Sequence, residues 1–272
     1  MFKLILAGVL ALPALLLAVV TAPLMALLAA PSLFLLLFRK ESSNSKAIPD
    51  HVVITGGSSG IGLCLAKECV QRGIPKVTLL ARNPTKLKQA QDELEQLVLA
   101  SGQSSTTTTT STTLQAISVS VSDMDAISKV AQQIVTPGDT TVLFHCAGVS
   151  YTTYYQEIDA GSKYLELIQT NQLGVMYTTR AFLKYMEHGL IVMTSSAAGQ
   201  VGCFGYTGYS PTKFALRGFA ESLHQELVTS DVNVQLVFPA DTDTPGYREE
   251  VQMMPAETKA LNDAAGLATP EE

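Results

Sequence analysis

The 272-residue chain reads as an α/β protein built on one doubly wound parallel sheet, with an apolar segment ahead of it. Three observations carry that reading. Short β-branched runs alternate with longer amphipathic stretches from His51 onward, and the runs are continuously apolar. A glycine-rich turn, TGGSSGIG, joins the first run to the first helical stretch. Continuously apolar strands suit a sheet buried on both faces, and strand–helix alternation suits parallel crossovers.

Residues 1–40 read as a membrane anchor. From Leu4 to Phe38 there is no charged residue. One bilayer crossing takes about 20 apolar residues, so the run is longer than one straight span. Pro13, Pro23 and Pro31 punctuate it, and both a span with an interfacial stretch and a hairpin turning near Pro23 fit. It is too long for the apolar core of a cleaved signal peptide, about 7–15 residues. Lys3 precedes the run while Arg39, Lys40 and Lys46 follow it. For a single span this places the bulk of the chain on the cytoplasmic side.

Residues 41–50 (ESSNSKAIPD) read as a polar linker, and 51–272 as the globular domain. Within it HVVIT, KVTLL, LQAISV, TVLFHC, LIVMT and VNVQLVF are the expected strands. Helices are expected near 60–72, 84–100, 122–135, 161–187 and 209–229. The tract at 101–113, SGQSSTTTTTSTT, reads as a surface insertion in preference to a modification site. After the sixth strand come DTDTPGY and a helix-like stretch, with no seventh apolar run. A net charge of −6 and a pI near 5.3 argue against nucleic acid as a partner. Cys64, Cys69, Cys146 and Cys203 show no metal-ligand spacing and read as reduced thiols; no metal is expected.

The turn after HVVIT has the form of a dinucleotide site. Gly56 allows the tight turn, Gly60 lets backbone approach a pyrophosphate, and Gly62 permits close helix–strand packing. The phosphate would sit at the positive end of the helix beginning near Ile61. About 20 residues on, where an acid would bind an NAD ribose, stands Arg82. Its charge suits the 2′-phosphate of NADP, so NADPH is the expected cofactor.

Tyr209 and Lys213, four apart in YSPTK, share one face of a helix. A cation so placed is expected to lower the phenol pKa. Ser196, thirteen residues upstream in TSSAAG, can polarise a ketone that Tyr209 protonates as hydride arrives.

Together, TGxxxGIG, Ser196, YxxxK and Asn171 in QTNQLG resemble the short-chain dehydrogenase/reductase family over roughly residues 51–250. The resemblance implies a Rossmann-type fold and a catalytic group of Ser196, Tyr209, Lys213 and Asn171. Asn171 would hold a relay water, and Lys213 the nicotinamide ribose. Family spacing selects Ser196 over Ser195. The implied cofactor contacts are Gly56, Ser58, Ser59, Gly60, Ile61, Gly62, Arg82, Ala147, Gly148, Tyr209, Lys213, Pro239 and Thr244. Thr244 reads alternatively as the start of a helix before Pro245. The sequence departs from the family at three points: Ser120 where Asp is common, His145 in place of Asn, and Ala240 in place of Gly.

GQVGCFGYTGYSPTKFALRGFAESL and PADTDTPGY resemble members of the family that reduce a long-chain lipid ketone. That implies an endoplasmic reticulum membrane enzyme with its catalytic domain facing the cytosol. The family also implies a homodimer through the helices near 161–187 and 209–229. It further implies a seventh strand and following helix, so the chain reads as lacking a C-terminal portion. Two alternatives stand: a reductase of another lipid, steroid or retinoid carbonyl, and a non-catalytic NADP-binding scaffold.

Overall fold

The computed structural model describes residues 48–100, 112–159 and 161–270. The chain divides into Met1–Ser43 and Asn44–Glu272, and the described residues all lie in the second unit. The anchor expected at 1–40, most of the linker and nearly all of the Ser/Thr tract fall outside them. No helix among the described residues is long and apolar enough to cross a membrane.

Strands β1 (His51–Thr55), β2 (Lys76–Ala81), β3 (Thr113–Ser118), β4 (Thr140–His145), β5 (His188–Thr194) and β6 (Asp231–Val237) form one parallel sheet in the order β3-β2-β1-β4-β5-β6. All six expected strands are present, within two residues of their expected bounds. β1 is buried throughout, its apolar centre Val52–Ile54 flanked by the buried polar His51 and Thr55. Chain order reverses between β1 and β4, and α/β sheets bind their ligands at such a switch point, beyond the carboxyl ends of the strands.

Helices cover both faces. Helix α1 (Gly60–Gln71) and α2 (Pro84–Ala100) bury Ala66, Val70, Leu87 and Leu94 against Ile54, Val77 and Leu79. On the other face α3 (Met124–Ile134), α5 (Gly174–Leu183) and α6 (Tyr209–Glu226) bury Ile127, Phe182 and Leu216 against Val53, Leu143 and Ile191. Start signals are local. Asn83 Oδ1 accepts from Lys86 N ahead of α2, where Pro84 takes the first helical position, and Asp123 caps α3 through Ala126 N.

The single helix expected over 161–187 is instead three pieces. A short α4 (Lys163–Leu167) runs into a π-helical turn (Ile168–Leu173) and then α5. The π turn carries Asn171, and such bulges concentrate at functional sites. Beyond β6, two short helices, α7 (Pro245–Val251) and α8 (Ala256–Ala265), replace the one expected helical stretch.

Candidate active site

The glycine turn is built as its sequence demands. Gly56 takes φ +70°, and a Cβ there would meet Ala147 N at 2.7 Å. A Cβ on Gly62 would meet Gly56 O at 2.5 Å, so α1 packs on the turn with no room for a side chain. Beside the turn lies a cleft of about 330 Å³. Gly56, Ser58, Ser59, Gly60, Arg82, Ala147, Gly148 and Thr244 line it. Ile61 and Gly62, in α1, and Pro239, after β6, are not among its lining residues. The shape fits a dinucleotide: backbone close to the ligand space, a helix N-terminus for phosphate, and cations at the far end.

Those cations are Arg82 and Lys86, the second unforeseen although it falls one turn into the helix after Arg82. Arg82 is itself paired: Nη1 donates to Glu166 Oε1 at 3.2 Å, while Tyr151 donates to Oε2. The Tyr151 hydrogen bond, then Arg82, hold the Glu166 carboxyl below its usual range. Thr244 is seen in the role of helix start. Its Oγ1 accepts from Tyr247 N at 3.1 Å, and its methyl stands 3.0 Å from where a Gly60 Cβ would be.

At the other end, Ser196, Tyr209, Lys213 and Asn171 converge. Ser196 follows β5 and shares a hydrogen bond with the half-buried Tyr209 phenol. Ser195 turns away, its Oγ donating to Lys213 O at 3.1 Å. Lys213 is 6% exposed; its Nζ donates to Thr194 O at 2.8 Å and lies 5.5 Å from the Tyr209 ring centroid. A Cβ on Gly148 would stand 3.8 Å from Lys213 Nζ and 3.4 Å from Asn171 Oδ1, so catalytic group and cofactor loop adjoin.

One expectation needs correcting. Lys213 does not pull the Tyr209 phenol down: burial, then the charge of Glu250, pushes it well above the usual tyrosine range, and only the Ser196 hydrogen bond opposes this. The shared helix face is real, but the ammonium reaches back to the β5 carbonyl, and its own burial lowers it to about 8. The Asn171 side chain is engaged by its neighbours. Its Oδ1 accepts from Val149 N at 2.9 Å, and its Nδ2 donates to Val149 O at 2.8 Å and Thr212 Oγ1 at 3.3 Å. The amide is a clamp on the loop after β4.

A short chain dehydrogenase family model matches residues 50–255. The chain belongs to the short chain dehydrogenase family. It is 41% identical over 229 residues to a 3-dehydrosphinganine reductase of Danio rerio, covering 82% of this chain and 65% of that protein. It is 40% identical over 262 residues to a 3-ketodihydrosphingosine reductase of Bos taurus, covering 91% and 75%. The chain thus spans about two thirds to three quarters of the length of these relatives. Among solved structures, an alcohol dehydrogenase from Thermococcus sibiricus complexed with 5-hydroxy-NADP superposes with a TM-score of 0.66 at 25% identity, covering 82% of this chain and 86% of that one. A 3-oxoacyl-[acyl-carrier protein] reductase from Brucella melitensis gives 0.66 at 26% identity, over 87% and 84%.

Where this short chain dehydrogenase departs from the family, the structure shows the substitute at work. His145 faces the core rather than the cleft, its Nε2 at 3.0 Å from Thr179 Oγ1, and burial lowers it to about 3. Ser120 makes a local turn with Ser122 N, leaving Val119 and Val121 to line the cleft. No disulfide joins the four cysteines, and burial pushes the Cys69 and Cys146 thiols up to about 11. No group of three or more His, Cys, Asp or Glu that could hold a metal occurs among the described residues.

Sequence reasoning missed one wall of the site. Glu250, on α7 and 8% exposed, accepts from Thr152 Oγ1 at 3.1 Å and from the Tyr206 hydroxyl. The Tyr206 ring lies 5.8 Å from the Tyr209 ring, and Asn262 of α8 donates to its hydroxyl at 3.0 Å. A glutamate in REEV reads as a solvated face, and only the docking of α7 buries it.

Proposed function

We propose that this chain reduces 3-dehydrosphinganine to sphinganine with NADPH. The observation that carries the reading is the convergence of Ser196, Tyr209 and Lys213 at the end of a dinucleotide cleft bearing Arg82 and Lys86. Relatives named for that reductase at 40–41% identity, and a structural neighbour solved with an NADP derivative, support it. NADPH supplies the hydride to the ketone carbon. Ser196 holds the ketone oxygen, and Tyr209 gives that oxygen its proton. A phenol held high is fully protonated at neutral pH, which is the form a reductive acid needs. Lys213, cationic below about pH 8, stays on Thr194 O with its Nζ 5.5 Å from the Tyr209 ring centroid. Gly56, Ser58, Ser59, Gly60, Ala147, Gly148 and Thr244 would hold the dinucleotide, with Arg82 on its 2′-phosphate.

Residues 1–40 are proposed to anchor the domain in the endoplasmic reticulum membrane, facing the cytosol, where a long-chain ketone is concentrated. Pairing of two copies through α4–α5 and α6 is proposed with it. The full chain, expressed in membranes and given NADPH and 3-dehydrosphinganine, is expected to form sphinganine by mass spectrometry, with NADH much less effective. Absence of product with either nucleotide would overturn the assignment.

A further inference from the structure

Glu250 is a carboxylate in an unusual place. It is over nine-tenths buried, and it is tied to the loop after β4 by Thr152, itself fully buried, and to the tyrosine pair by Tyr206. Its partners are hydroxyls. Among the described residues no cation acts on it, and the nearby charge is Asp241, of the same sign. Burial raises the Glu250 carboxyl above its usual range, against the hydroxyls of Ser150, Tyr206 and Thr152, so the charged form is costly here without a counter-ion. Its position also opposes the chemistry, because a negative charge near Tyr209 disfavours the phenolate left when the proton is given up.

Both costs vanish if the substrate itself brings a cation to this wall. We propose that Glu250 is a specificity-determining residue that receives the ammonium of an α-amino ketone, next to the carbonyl that Ser196 and Tyr209 handle. The inference rests on the reductase reading above and deepens it. A 2-amino 3-ketone places its ammonium one carbon from the reacting carbon. The ammonium then neutralises the carboxylate and shields the forming phenolate from it. A neutral ketone of the same length leaves Glu250 unpaired and the proton transfer opposed. Selectivity and rate are therefore coupled through one carboxylate.

The test uses the full chain in membranes and the variant Glu250→Gln, which keeps an acceptor for Thr152 and Tyr206. With 3-dehydrosphinganine, kcat/KM is expected to fall at least ~30-fold, as when one partner of a buried charge pair is removed. With the des-amino ketone of the same chain it should stay level or rise. Equal loss on both ketones, or no loss on either, overturns the proposal. Binding separates this from the reductase reading: wild type should hold sphinganine at least ~10-fold more tightly than its des-amino diol, and Glu250→Gln should lose the preference. If wild type binds the amine selectively but reduces neither ketone, the reductase reading fails and the ammonium site stands. If wild type shows no preference for the amine, the ammonium site fails whatever the activity.

Discussion

At the scale of single residues, Arg82 is the side chain proposed to decide cofactor choice. It is exposed and engaged by Glu166, so a 2′-phosphate must displace a carboxylate to reach it. Surface pairs of this kind are weak, about 0.2–1 kcal/mol, so the phosphate wins once it arrives. Glu166→Gln is expected to tighten NADPH binding about two- to five-fold, and Arg82→Gln to weaken NADPH by ~10-fold or more while leaving NADH nearly unchanged. Nucleotide titration of each variant checks this; equal effects on NADH and NADPH would place Arg82 outside the 2′-phosphate site. Arg82 was legible from its spacing after the glycine turn. Glu166 was not, because eighty-four positions separate it from Arg82 and only the fold closes that distance.

At the scale of elements, the six strands were legible as short apolar, β-branched runs, although only β1 is buried throughout and the edge strands β3 and β6 stay partly exposed. The break of 161–187 into α4, a π turn and α5 was not, since every residue in it tolerates a helix. The widened turn coincides with Asn171, whose side chain must meet both polar atoms of Val149. The central strands also hide two neutral histidines, His51 of β1 and His145 of β4, each lowered from 6.5 to about 3, largely by burial. Between those values the unfolded chain binds protons that the folded chain refuses, so stability falls as pH drops from about 6.5 toward 3. Each histidine adds roughly 1.4 kcal/mol of loss per pH unit in that window. Urea unfolding of the membrane-solubilised chain should show His145→Asn losing about half of the histidine share of this acid slope. An unchanged slope would mean that His145 is protonated in the folded state.

At the scale of the whole molecule, one sheet separates two jobs. The switch point between β1 and β4 opens onto the glycine-turn cleft, while the ends of β4 and β5, with α6, gather the side chains proposed to handle a ketone. The cofactor end was readable from local sequence, because glycine turns and helix starts are local devices. The proposed substrate wall was not, since Thr152, Tyr206, Glu250 and Asn262 meet only through the docking of α7 and α8. The central claim is that these two ends act together as a ketone reductase through Tyr209. It is tested most directly with NADPH deuterated at its hydride-donating carbon, 3-dehydrosphinganine and the full chain in membranes. Wild type should yield sphinganine carrying deuterium at the former ketone carbon, and Tyr209→Phe should reduce that product by at least ~100-fold with NADPH affinity unchanged. Undiminished labelled product from Tyr209→Phe, or none from wild type that still binds NADPH, would contradict it.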